Sequence, residues 1–159
     1  MSAMISTRTV TINAAFLQEI KDVHQLLWET LASLRELSEQ PDASNGFLRE
    51  FARLLNNLRD QLALHFSLEE AYGYFDDPVD VAPHVSQRAE TLRGQHQELY
   101  VCACELVERV ERAYDGRKWA DVTLLAGAYR EFHRQIVEHE EAESELIQEA
   151  YASDLGVGD

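Results

Sequence analysis

Four long stretches of this chain carry apolar residues at alternating steps of three and four positions. This spacing places the apolar side chains on one face of an α-helix. The third stretch follows it without a break, at positions 89, 92, 96, 99, 103, 106 and 110. Interruptions near Pro41, Pro78 and Gly116 separate the stretches, and only seven glycines and three prolines occur in 159 residues. The pattern predicts an all-α protein that forms an up-down-up-down four-helix bundle.

The length of the chain suits one domain with a sizeable core. Residues 1–12 are rich in serine and threonine and show no apolar period, so we expect an N-terminal arm. Asn13 is the predicted N-cap of the first helix. Residues 13–152 are predicted to form the bundle, and residues 153–159, which include two glycines, a short C-terminal tail.

The chain is strongly acidic, with a formal net charge of −15. Such a surface repels phosphate backbones and anionic lipids, so neither a nucleic acid nor a membrane is the expected partner. Residues 1–10 lack the apolar run of a signal peptide, and no apolar run approaches the ~20 residues of a membrane span. Cys102 and Cys104 would point in nearly opposite directions on a helix, which favours two reduced thiols over a metal-binding pair. These features predict a cytoplasmic protein.

Two histidine–glutamate pairs interrupt the apolar faces. His65 and Glu69 lie in the second stretch, and His139 and Glu143 lie in the fourth. A spacing of four positions places both side chains of a pair on one side of a helix. Imidazole and carboxylate together form a ligand set for a first-row transition metal. Both pairs occupy positions where leucine would be expected, so we predict that they face the core.

The other two stretches each carry one histidine on the apolar face, at positions 24 and 96. With a rise of about 1.5 Å per residue, all these polar side chains can meet at one level of the bundle. Buried carboxylates are costly when unpaired, and no lysine or arginine lies on these faces. A metal is the simplest compensation, and the alternative is a bundle in which histidines and glutamates only pair with one another. The predicted ligands are His24, His65, Glu69, His96, His139 and Glu143.

This donor set also limits the choice of metal. Four imidazoles and two carboxylates without a thiolate favour iron or manganese over zinc. If each of two ions takes roughly six ligands, two bridging glutamates, four histidines and an oxo or hydroxo bridge leave about two positions open. The donor set and the ligand count therefore predict two ions, of iron or of manganese, with open positions for an external ligand.

Other residues near these faces have simpler interpretations. Tyr72, Tyr100 and Tyr129 are expected to pack in the core, with contact to the metals as the alternative. His84 and His133 fall on other faces and are not predicted ligands. An acidic run is expected to form a solvated face, with replacement of a missing ligand as the alternative. Its residues are Glu70, Glu140, Glu141 and Glu145.

The order of the six residues, with one element in each stretch, resembles the hemerythrin-like (HHE cation-binding) domain over about residues 13–150. The resemblance implies a left-handed four-helix bundle around a non-haem di-iron centre. Oxygen-carrying members have two histidines four positions apart on the third helix, whereas Leu92 and Tyr100 flank His96 at that spacing here. Those members also have an aspartate five positions after the histidine of the fourth helix, where this chain has Glu143 at four. The pattern looks more like the four-His, two-Glu members.

The resemblance implies two classes of function. Family members carry or sense oxygen, repair iron centres damaged by nitric oxide or peroxide, sense iron, or act on peroxide and nitric oxide. The loss of one histidine opens a second coordination position, which favours reaction with or binding of peroxide, oxygen or nitric oxide. The alternative is a module that senses, stores or delivers iron, or senses oxygen, without turnover. A channel to an exchangeable position would favour the first class.

Overall fold

The computed structural model describes the backbone of residues 2–42, 44–71, 79, 82–116 and 119–158. Side chains are described over a smaller part, which in the first helix comprises Gln18 and residues from Lys21 onward. None of the described helices is long and apolar enough to cross a membrane. A short 3₁₀ turn, Pro83–Val85, leads into the third of four long helices. These are α1 (Ser2–Glu39), α2 (Asn45–Ala71), α3 (Ser86–Gly116) and α4 (Trp119–Gly158).

The four helices form a closed bundle. Each helix packs against the next one in the chain, and α1 also packs against α4. His24 of α1 lies near Glu140 of α4, whereas Ser38 accepts a hydrogen bond from Arg130. A residue later in α1 thus contacts a residue earlier in α4, so the two helices are antiparallel. The predicted all-α four-helix bundle is confirmed.

The first and last helices are longer than the sequence pattern indicates. α1 begins at Ser2 instead of Asn13 and so runs through the segment assigned to an arm. Residues 2–12 contain neither glycine nor proline, the residues that most often end a helix. α4 likewise continues to Gly158, through most of the predicted tail. The domain limits at residues 13 and 152 stay predictions.

The starts of α2 and α3 follow their local sequence. The Phe47 amide donates a hydrogen bond to Ser44 Oγ at 3.2 Å, and the Ser44 amide donates to Asp42 Oδ1 at 3.1 Å. Ser44 is therefore the N-cap of α2. Pro83 begins the turn before α3, where its missing N–H leaves no helical hydrogen bond unmade.

Apolar side chains form two separate clusters along the bundle. The main core contains Leu99 of α3 and Ile136 of α4. A smaller set, here called the distal cluster, contains Leu92 and Leu146 from the same two helices. Its buried members are Ala82, Val85, Ala89, Leu92, Leu146 and Ala150. The predicted polar residues of α3 and α4 fall between these clusters, so a polar layer interrupts the core.

The buried hydroxyl of Tyr129 ties α4 to α1. Tyr129 has no exposed surface, and its hydroxyl donates a hydrogen bond of 2.7 Å to the Leu31 carbonyl oxygen. We expect Tyr129→Phe to lower the free energy of unfolding by about 1 kcal/mol, because this hydrogen bond is lost. Urea denaturation would measure the change. Tyr151→Phe, at a position 43% exposed, serves as the control and should cost less than about 0.5 kcal/mol.

Candidate metal centre

The polar layer brings the predicted ligands together from all four helices. Five of them are almost completely buried, with at most 4% of each residue exposed. His24 lies at the edge of the layer, and its side chain is 39% exposed. The five buried residues are His65, Glu69, His96, His139 and Glu143.

Glu69 lies in the middle of the layer. Its Oε1 is 2.7 Å from His65 Nε2, and its Oε2 is 3.3 Å from His96 Nε2. Burial raises the pKa of Glu69, but hydrogen bonds from the two histidines outweigh burial and hold that pKa below its usual value. A carboxylate whose two oxygens face imidazoles of different helices is placed to bridge two cations.

Glu143 approaches the layer from α4. Its Oε1 is 3.4 Å from His139 Nε2, and its Oε2 is 3.7 Å from His96 Nε2. Among the described residues, neither oxygen has a hydrogen-bond partner. A buried carboxylate without hydrogen bonds is costly, and a cation bound between these groups would remove that cost. The residues therefore fit a metal site with nitrogen and oxygen ligands.

The donor atoms fall into two sets that have no residue in common. Within each set, one atom from every residue lies within 4.8 Å of the others. We call His24, His65 and Glu140 the first half-site, and His96, His139 and Glu143 the second half-site. A further set joins the two half-sites through His65, Glu69, Glu140 and Glu143. Each of these sets offers nitrogen and oxygen donor atoms for a metal ion.

Glu140 is not among the six predicted ligands. The sequence analysis expected it on a solvated face, with replacement of a missing ligand as the alternative, and the first expectation is wrong, because only 8% of Glu140 is exposed. Its Oε1 lies 3.1 Å from His65 Nε2. The sequence contained a signal, since Glu140 follows the buried Ile136 by four positions and precedes Glu143 by three.

The other members of the acidic run are placed as expected. Glu141 and Glu145 are exposed, and the Glu70 side chain is 50% exposed. Burial therefore distinguishes Glu140 from its neighbours in sequence, although all four residues carry the same carboxylate.

Side chains outside the layer hold the imidazoles of the second half-site. The Nδ1 atom of His139 lies 2.7 Å from Gln95 Oε1, and that of His96 lies 3.2 Å from Glu70 Oε1. An oxygen acceptor at Nδ1 favours the tautomer with its proton there, which directs the Nε2 lone pair inward. Phe66 stacks on the His96 ring with centroids 4.0 Å apart. These contacts orient both rings for metal binding.

His24 is held differently. The Trp28 indole N–H donates a hydrogen bond to His24 Nε2. His24 Nδ1 lies on the side of the layer, 4.0 Å from Glu140 Oε2. While Nε2 accepts the Trp28 hydrogen bond, the proton of the neutral ring lies on Nδ1, so metal binding by His24 requires release of that hydrogen bond. The His24 and His65 rings lie with centroids 5.5 Å apart, which brings both imidazoles of the first half-site to the same carboxylate.

The carboxylates change the acidity of the buried histidines. Burial lowers the pKa of His65, but hydrogen bonds with Glu140 and Glu69 outweigh burial and raise that pKa to about 10. The pKa of His96 is likewise lowered by burial and raised more strongly by Glu143 and Glu69, to about 9. Protons therefore occupy part of this layer in the metal-free protein at neutral pH.

The remaining candidates lie elsewhere or outside the described residues. Tyr129 belongs to the main core, and its hydroxyl contacts His133 Nδ1 at 3.1 Å. His84 is exposed and pairs with Glu149 at the surface. Tyr100 is partly buried and borders a cleft that also reaches His96. The Tyr72 side chain lies outside the described part of the chain.

Two clefts reach the second half-site from the surface. One, of about 460 Å³, lies between α3 and α4 and is lined by Gln95, Gln135 and His139, among others. The other, of about 260 Å³, lies between α2 and α3 and is lined by Phe66, His96 and Tyr100, among others. Small molecules therefore have space beside both histidines of this half-site.

A four-helix bundle with a buried layer of imidazoles and carboxylates defines a metal-binding helical protein. The sequence model of the hemerythrin HHE cation-binding domain matches residues 15–151, and the chain belongs to this family. The match covers all six predicted ligands. No curated protein and no solved structure matched the chain.

Proposed function

We propose that this chain is a non-haem di-iron protein that binds or reacts with peroxide, oxygen or nitric oxide in the response to oxidative or nitrosative stress. The observation that supports this most directly is that the two half-sites are connected by a further set, His65, Glu69, Glu140 and Glu143, whose donor atoms lie within 4.8 Å of one another. Iron is the metal that the donor set and the family favour, because histidine and carboxylate ligands without thiolate suit it. Bound iron would supply redox chemistry and an exchangeable position for the external ligand.

The carboxylates and the histidines of the layer would have different roles in binding two ions. Glu69 presents one oxygen to each half-site, and Glu143 lies within reach of both sets. Histidines from four helices would supply the terminal nitrogen ligands. Gln95 and Glu70 would keep the rings of the second half-site in the required tautomer.

The clefts support exchange with small molecules. Both reach histidines of the second half-site, and the larger borders His139. The larger cleft is also lined by the carboxylates of Glu98 and Glu138, so anionic metabolites gain little by entering it. The proposal therefore takes uncharged diatomic molecules or hydrogen peroxide as the external ligands.

Metal analysis and spectroscopy test the proposal. Protein purified without chelator should contain about two iron ions per chain and show near-ultraviolet absorption from oxo or hydroxo ligands to iron. Anaerobic titration with nitric oxide and with peroxide should then change this spectrum stoichiometrically. A folded chain that holds no metal and cannot be loaded with iron would exclude the di-iron function.

The alternative, a module that senses, stores or delivers iron or senses oxygen without turnover, predicts a different result. Iron would still bind, and peroxide would be neither consumed catalytically nor converted over repeated additions. Repeated peroxide additions, followed by iron analysis, therefore separate the two classes.

A further inference from the structure

Glu140 lies in the polar layer. In the sequence it stands between His139, which belongs to the same layer, and Glu141, which is exposed. Glu140 is more than nine-tenths buried, with 8% exposed. Its Oε1 lies 3.1 Å from His65 Nε2, and its Oε2 lies 4.0 Å from His24 Nδ1. The carboxylate thus presents both oxygens to the two imidazoles of the first half-site.

The second half-site has a different outer carboxylate. Glu70 contacts His96 at Nδ1, whereas the Nε2 atom of the same ring faces Glu69 and Glu143. Glu70 is also half-exposed. Glu70 therefore orients the ring from behind, on the side away from the donor atoms, and Glu140 lies among the donor atoms themselves.

We propose that Glu140 is a terminal ligand of the ion in the first half-site and that external ligands exchange at the ion in the second half-site. This inference rests on the proposed two-ion centre. Besides the acidic side chains, an independent observation points to bound cations, because Glu143 is 1% exposed and its oxygens have no hydrogen-bond partner among the described residues.

A count of the ligands on each ion indicates why only one of the two ions would keep an open position. If both Glu69 and Glu143 bridge, each ion has two carboxylate ligands and two histidines, and a solvent-derived bridge supplies a fifth ligand. Glu140 then completes roughly six ligands on the first ion, whereas the second ion keeps one position open. Both clefts described above border the second half-site, on the side of the rings where Gln95 and Glu70 lie.

Glu140→Gln tests this assignment, with Glu141→Gln as the matched control. Both substitutions remove one negative charge, and they lie next to each other on α4, but Glu141 is exposed. In the unsubstituted protein loaded with ⁵⁷Fe, Mössbauer spectra should show two inequivalent irons. Azide, used as a small anionic probe, should bind once per centre.

We expect Glu140→Gln to weaken binding of one iron at least about tenfold, as loss of a ligand does. At saturating iron, its Mössbauer spectrum should change for one of the two irons, and two azide ions should bind per centre. The Glu141→Gln protein should match the unsubstituted protein in iron affinity, spectrum and azide stoichiometry.

Two results would overturn the inference. If Glu140→Gln matches Glu141→Gln in all three measurements while both hold two irons, Glu140 is not a ligand, and the proposed di-iron function still stands. If the unsubstituted protein binds no iron, both proposals fail together. Should Glu140→Gln not fold by circular dichroism, Glu140→Asp, which keeps the charge but shortens the side chain, is expected to change the spectrum of the same iron. An unchanged spectrum in that variant would also count against the assignment.

Discussion

Replacing Glu143 by glutamine should reduce iron binding from about two ions per chain to at most one. The carboxylate is almost fully buried and lies between two histidines of the second half-site. A neutral amide is a much weaker ligand for a hard cation than a carboxylate. Iron analysis after loading and desalting would measure the loss, with the exposed Glu145→Gln as the control.

The same substitution should also lower the stability of the metal-free protein. Glu143 raises the pKa of the buried His96, so its replacement removes one of the carboxylates that compensate the charge of that imidazole. We expect metal-free Glu143→Gln to be less stable to urea than the metal-free parent by about 1–3 kcal/mol at neutral pH. Glu143→Gln protein that still holds two irons with unchanged affinity would show that Glu143 does not bind metal.

The metal-free protein should lose stability as the pH rises from about 6.5 to 9.5. The folded-state pKa values of His65 and His96 are raised to about 10 and about 9, above the unfolded value of 6.5. Their contribution to stability is therefore fully present below pH 6.5 and is lost as the pH rises through the folded pKa values. The lowered pKa of Glu69 acts in the opposite sense, and its contribution is lost as the pH falls below 4.5.

The expected loss exceeds about 3 kcal/mol across this interval, because the folded pKa of each histidine lies at least two pKa units above the unfolded value and one pKa unit corresponds to about 1.4 kcal/mol. Urea denaturation in the presence of a chelator, at several pH values, would measure it. His84→Gln removes an exposed histidine and should leave the pH profile unchanged, whereas His65→Gln should flatten it. A parent profile that is flat over the interval would contradict the assigned protonation of the layer.

Much of the bundle was predictable because every helix repeats its apolar spacing over many turns. Ala103, Leu106 and Val110, for example, are all buried where the third stretch places them. The helical extent at the two ends was less predictable, because the absence of glycine and proline permits a helix but no apolar face requires one. The predicted arm at residues 1–12 illustrates this difference.

Glu140 shows why part of the site escaped the sequence analysis. A helix of a four-helix bundle contacts two neighbours, so its buried face is wider than a single row of residues. His139 turns toward α3, where it meets Gln95, whereas Glu140 turns toward α1 and His24. Adjacent residues of α4 therefore contact different helices. Sequence spacing within one helix does not reveal which neighbour a charged residue will contact.

The division of the apolar interior into a main core and a distal cluster affects how the bundle resists opening. The layer between them consists of imidazoles and carboxylates, which contribute desolvation costs where other cross-sections of the bundle contribute hydrophobic burial. Without metal, this cross-section is therefore expected to open more readily than the apolar cross-sections on either side of it. Metal ions bound by residues of all four helices would cross-link the helices at this level and make it the part of the bundle that resists opening most.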